Sequence, residues 1–66
     1  MNPKWNESWF SLKRYEAQDG TILAEMSMFN SVWSLRITGT EGFWSNLDPK
    51  PLMEYASAPY SRLVAP

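Results

Sequence analysis

The chain contains no cysteine and no histidine. Without cysteine there can be neither a disulfide nor a thiolate metal site. Without histidine the commonest metal ligand and the usual general base at neutral pH are missing, and the familiar nucleophile–base pairs cannot be assembled. Glycine is scarce: Gly20, Gly39 and Gly42 are the only three, and each reads as a turn former rather than part of a phosphate-binding loop. No apolar run approaches the roughly 20 residues of a membrane helix. The opening Met-Asn-Pro-Lys has no signal-peptide pattern. Neither charge dominates, with six Lys+Arg against seven Asp+Glu and a net charge of −1. A nucleic-acid binder normally carries a clear basic excess, so the balance argues against that partner. These absences set the expectation of a cytoplasmic, non-enzymatic chain with no cofactor, no metal and no membrane contact.

What is abundant is large side chains. The 66 residues include four Trp, three Phe, three Tyr and four Met. A chain this short is a single domain, 1–66, and hides only about 60% of the surface that its unfolded form exposes. Each aromatic can bury on the order of 150–250 Å², so these residues must do most of the stabilising. A partner, or a second copy in a homodimer, would supply the remainder.

Along the chain, residues 1–8 are polar apart from Trp5 and read as a loose arm. Residues 9–44 alternate between short apolar stretches and turn signals, the pattern of an antiparallel meander. Asn30-Ser31 lies between Phe29 and Val32 as a two-residue hairpin turn. That turn pairs Met28 with Trp33, Met26 with Leu35 and Ala24 with Ile37 on one face, because side chains alternate with period two. The first turn, Gln18-Asp19-Gly20, reads as a three-residue loop with Gly20 in the left-handed position and Ala17 opposite Thr21. Continued without interruption, this register places Phe10 and Leu12 on the apolar face with Arg14 at its end. It sets Lys13 beside Glu25 and Arg36 on the other face. Phe43-Trp44 follows as a short extended piece. Asp48 is a good N-cap with Pro49 at the first helical position, and Leu52, Met53, Tyr55 and Ala56 form a helical stripe over 48–58. Pro59 ends or kinks that helix. Residues 59–66 are a tail, either a further turn or an extended strap. The fold class is therefore α+β, a three-stranded antiparallel meander packed on one C-terminal helix.

The carboxylate pairs Glu41 with Asp48 and Glu16 with Asp19 lie in turn regions and read as solvated side chains rather than catalytic groups. The other sheet face is more informative. It carries the charged row Lys13, Glu25 and Arg36, with Trp9, Phe29 and Val32 at one end and Tyr15 and Leu23 at the other. Apolar residues there need cover. The arm with Trp5, or the tail with Tyr60, Leu63 and Val64, is one source of it, and a partner is the other. Trp, Tyr and Arg dominate interface energetics, so Trp9, Lys13, Glu25, Phe29 and Arg36 form the candidate partner-binding set. Its expected partner is a larger protein. A nucleic-acid face using Lys13, Arg14, Arg36 and Trp9 is the rival expectation.

The segments "DGTILAEMSMFNSVWSLRITG" and "NLDPKPLMEYA" together resemble a β-β-β-α unit found in short phage and bacterial proteins, with a tryptophan on the third strand. The AP2-like DNA-binding domains of phage-type integrases share that architecture. In size and in lack of enzymatic features the chain is also similar to small phage inhibitors of host defence, the anti-CRISPR proteins among them. The resemblance implies a phage-borne inhibitor that occludes a site on a larger host protein such as a CRISPR effector.

Overall fold

Among the described residues, five strands and one helix follow one another in the order β1 (Lys4–Trp9), β2 (Leu12–Glu16), β3 (Ile22–Phe29), β4 (Val32–Ile37), β5 (Trp44–Asn46) and α1 (Pro49–Val64). This computed structural model describes residues 3–64, with side chains up to Tyr60, so the covering role expected of the Leu63 and Val64 side chains, and the chain end at 65–66, lie outside what is described. Each strand pairs antiparallel with the next to give a single five-stranded sheet. The α+β class holds. The expected three-stranded meander is the middle of a wider sheet, flanked by β1 and β5.

The β3–β4 hairpin has every pair expected from its turn. Asn30 and Ser31 have φ of 52° and 64°, the left-handed pair that a primed two-residue turn requires because it matches the right-handed strand twist. Phe29 then lies opposite Val32, Met28 opposite Trp33, Met26 opposite Leu35, Glu25 opposite Arg36 and Ala24 opposite Ile37.

The β2–β3 hairpin begins as expected and then departs. The turn is the three-residue loop: the Ala17 N–H donates to the Thr21 carbonyl at 2.8 Å, and Gly20 has φ of 92°. Glu16 pairs with Ile22, but Tyr15 pairs with Ala24. Leu23 is the extra residue of a β-bulge, and one extra residue exchanges the two faces of everything beyond it. Lys13 consequently lies opposite Met26, and Arg14 opposite Glu25. The placement of Lys13 in the outer charged row is thus corrected, and Arg14 stands there instead. Phe10, expected under Trp33, is 84% exposed, whereas Tyr15 is 5% exposed in the core. The bulge removes Arg14 from the apolar face and exchanges it for a tyrosine ring, which is the better occupant.

Residues 4–8, expected to belong to a loose arm, form edge strand β1 together with Trp9, and Trp5 lies opposite Tyr15. Their polar composition reflects exposure of an edge, and Trp5 is the residue that ties the strand down. At the other edge, Leu35 pairs with Trp44 and Trp33 with Asn46, so the Phe43-Trp44 piece is paired into the sheet as part of β5.

The helix begins where its caps dictate. The Asp48 carboxylate accepts the Lys50 N–H at 3.0 Å, and the Asn46 side chain accepts the Asp48 N–H at 2.9 Å. Pro49 and Pro51 lie in the first turn, where a missing N–H costs nothing. The helix passes through Pro59 instead of stopping at Ala58. An interior proline is unfavourable by about 3 kcal/mol. Tyr60, one residue on, packs edge-on against Tyr15 with ring centroids 5.6 Å apart, and this docking holds the last turn to the sheet.

The core lies between α1 and one sheet face: Tyr15, Ala24, Met26, Trp33 and Leu35 from the sheet, with Leu52 and Ala56 from the helix. Trp5, Met28, Ile37, Trp44, Met53 and Tyr60 pack around it. Among the described residues, no helix is long and apolar enough to cross a membrane.

Candidate protein-binding face

The period of two that buries Met26 and Leu35 turns their neighbours the other way. On that outer face one cross-strand row runs Asn6, Arg14, Glu25, Arg36 over β1 to β4. Phe43, one step before β5, borders the same shallow hollow as Glu25, Ser27, Ser34 and Arg36. The next row toward the turns is Trp9, Leu12, Ser27, Ser34, Ser45. The last is Phe29 and Val32, with Phe10 in the β1–β2 turn and Leu47 just after β5. One end of the face is therefore apolar, its middle is lined by serine hydroxyls, and charge lies beyond.

The apolar end is uncovered. Trp9 is 69%, Phe29 80%, Phe10 84% and Leu47 74% exposed, and Phe43 at the other end is 66% exposed. Of the residues expected to cover it, the two whose side chains are described, Trp5 and Tyr60, do not. Trp5 stacks on the helix side against Tyr15, with centroids 4.9 Å apart, and Tyr60 lies there too.

In the charged row, Arg14 Nε donates to Glu25 Oε2 at 2.9 Å with both side chains nearly half exposed. Such a solvated pair contributes little stability, and it leaves the Glu25 carboxylate open to a further partner. Arg36 lies opposite Glu25 in the ladder and is exposed. It makes no ion pair among the described residues, whose pairs are Arg14–Glu25 and Lys13–Glu7.

Lys13 has a different role from the one expected. Its side chain is only 14% exposed. Nζ donates to Glu7 Oε1 at 3.0 Å and lies 5.1 Å from the centre of the Trp33 ring. The aliphatic stem covers core surface while the amine reaches the sheet edge, and the ring face favours the cation.

Of the expected set, Trp9, Glu25, Phe29 and Arg36 share the outer face, and Lys13 does not. Arg14, expected there only in the rival nucleic-acid reading, and Phe43 join it, and the alternation of β2 and β5 continued by one or two residues sets the exposed Phe10 and Leu47 at the same end. For Phe43 a signal existed: two adjacent aromatics in an extended piece cannot both face the core, and Trp44 takes that position, stacked 5.1 Å from Tyr55.

No family model matches the chain, and searches of curated proteins and of solved structures likewise found no match.

Proposed function

We propose that the chain is a non-enzymatic protein-binding module that works through the open face of its sheet. The carrying observation is the group of exposed aromatics, Trp9, Phe10 and Phe29, at one end of an open face that carries charge beyond its serine row. Exposed apolar patches of several hundred Å² on a small protein mark interaction sites, and aromatic anchors beside arginine are the composition of interface hot spots. The face is shallow, which suits another macromolecular surface better than an enclosed small molecule.

The finer form implied by the sequence resemblance is an inhibitor that occludes a site on a larger host protein. It rests on that resemblance. The rival form, single-stranded nucleic acid stacked on the aromatics, has the exposed rings in its favour. Against it, Glu25 lies between the two arginines and repels phosphate, and the chain has no basic excess.

A photo-crosslinking amino acid placed in living cells at Ser34, in the centre of the face, and at Glu54, on the exposed side of the helix, tests the reading. Protein-sized adducts from position 34 and none from position 54 are expected. Adducts from 54 alone would move the working surface to the helix. Nucleic-acid adducts from 34 would establish the rival form.

A further inference from the structure

The outer face has a symmetry that names its occupant. Its charged row alternates in sign across three neighbouring strands: Arg14 on β2, Glu25 on β3, Arg36 on β4, with Phe43 next in line. From these positions we propose that the face binds a second copy of this chain, sheet against sheet, about a two-fold axis that runs parallel to the strands between β3 and β4. The proposal rests on the reading of this face as a protein-binding surface, and supplies the partner.

Such an axis lays β3 over β4 of the second copy and β2 over its β5. Glu25 then faces Arg36 of the second copy, and Arg36 faces its Glu25. The exposed arginine that has no ion pair among the described residues gains one, and the symmetry repeats it. Arg14 faces the exposed ring of Phe43, a cation over an aromatic face, and the contact is again repeated by symmetry. Because the axis is parallel to the strands, the apolar ends coincide, with Phe29 over Val32 in both directions. The serine row between them, Ser27 over Ser34, is small enough for the sheets to close to about 10 Å, a distance that arginine and glutamate side chains span. An isologous contact of this kind is the commonest way in which soluble chains associate.

Neighbouring axes do worse. An axis along β3 sets Glu25 on Glu25 and Arg14 on Arg36, like charge on like. An axis between β2 and β3 offers Glu25 only the arginine type it already holds, and leaves Arg36 over Asn6. An axis across the strands puts the apolar end of each copy on the opposite end of the other.

The area is adequate. At 150–250 Å² per aromatic side chain, Trp9, Phe10, Phe29 and Phe43 together expose on the order of 500 Å². Leu12, Val32, Leu47 and the three serines bring the face toward the roughly 800 Å² per partner of a stable interface. Burying it would also add a second apolar layer to a chain that packs only one side of its sheet.

Sedimentation equilibrium of the purified chain, with charge-swap variants, tests the proposal. The wild type should be a dimer at micromolar concentration. Arg36→Glu should weaken association at least about tenfold, since it faces Glu25 with a second carboxylate. Glu25→Arg with Arg36→Glu should recover association, because the facing pair is restored in reverse. Both side chains, Glu25 and Arg36, reach solvent in the single chain, so thermal melts at a concentration where every form is monomeric should coincide. A wild type that stays monomeric at millimolar concentration overturns the proposal, and so does an Arg36→Glu variant that dimerises as the wild type does. The reading of the face fails separately: a monomeric chain that still crosslinks from position 34 to a different protein loses the second copy but keeps the binding surface.

Discussion

Tyr15 shows what the single core must accommodate. Its ring packs against both Trp5 and Tyr60, with centroids 4.9 Å and 5.6 Å away, and 5% of its surface is exposed. Burial pushes its phenol above the ordinary tyrosine value of about 10, with the neighbouring Tyr60 adding to the shift. The folded state therefore prefers the neutral phenol. The stability linked to this group is present below the unfolded value, and it is lost as pH rises through the raised folded one. Urea melts followed by tryptophan fluorescence should show the wild type losing stability steeply above about pH 10. Tyr15→Phe keeps the ring and removes the proton, so its loss over the same range should be shallower. Equal slopes would mean that the Tyr15 hydroxyl reaches water.

At the scale of elements, the two inner hairpins differ in how strongly their turns determine them. Asn30 and Ser31 both occupy positive φ, a region that serine enters at a cost and glycine enters freely. Ser31→Gly should therefore stabilise the chain by roughly 0.5–1 kcal/mol, read from the urea midpoint at unchanged slope. A loss of stability would show that the Ser31 side chain holds the turn in a way its geometry does not reveal. This hairpin was legible from sequence because a two-residue turn fixes register by itself and alternation continues unbroken from Ala24 to Ile37. The β2–β3 hairpin was legible only at its turn. Its bulge falls at Leu23, within the continuous apolar run Ile22-Leu23-Ala24, and that break in alternation was the available signal. Leucine has no conformational preference that announces a bulge, and the competing register also offered apolar residues, Phe10 and Leu12, to the core. Tertiary packing of Tyr15 decided between them. The outer-face site was legible to the same degree: Trp9, Glu25, Phe29 and Arg36 follow from strands that the reading placed correctly or from a position at the end of a strand. Lys13 was displaced by the bulge alone. Pro59 was read by its local effect, and the docking of Tyr60 outweighed it.

For the whole molecule, the outcome turns on how little core there is. Among the described residues, seven are buried, none of them from β1, and they hold one layer of helix to one face of the sheet. Much of the cover of Tyr15 comes from outside that set, from the rings of Trp5 and Tyr60. Glu7 on the same strand also anchors the amine of Lys13 beside Trp33. An arm that merely trailed in solvent could be removed without effect. Strand β1, by contrast, completes the cover of the core, so its removal opens Tyr15 to water, frees Lys13 and leaves the edge of β2 unpaired. A domain of this size has only a few kcal/mol of stability to lose. Trp5→Ala, which deletes a half-buried indole, should cost about 2 kcal/mol, below the cost for a fully buried aromatic. Deleting residues 1–8 should abolish the cooperative thermal transition seen by circular dichroism. If the truncated chain melts as sharply and at the same temperature as the full one, β1 adds nothing to the core, and Tyr15 is covered by the helix alone.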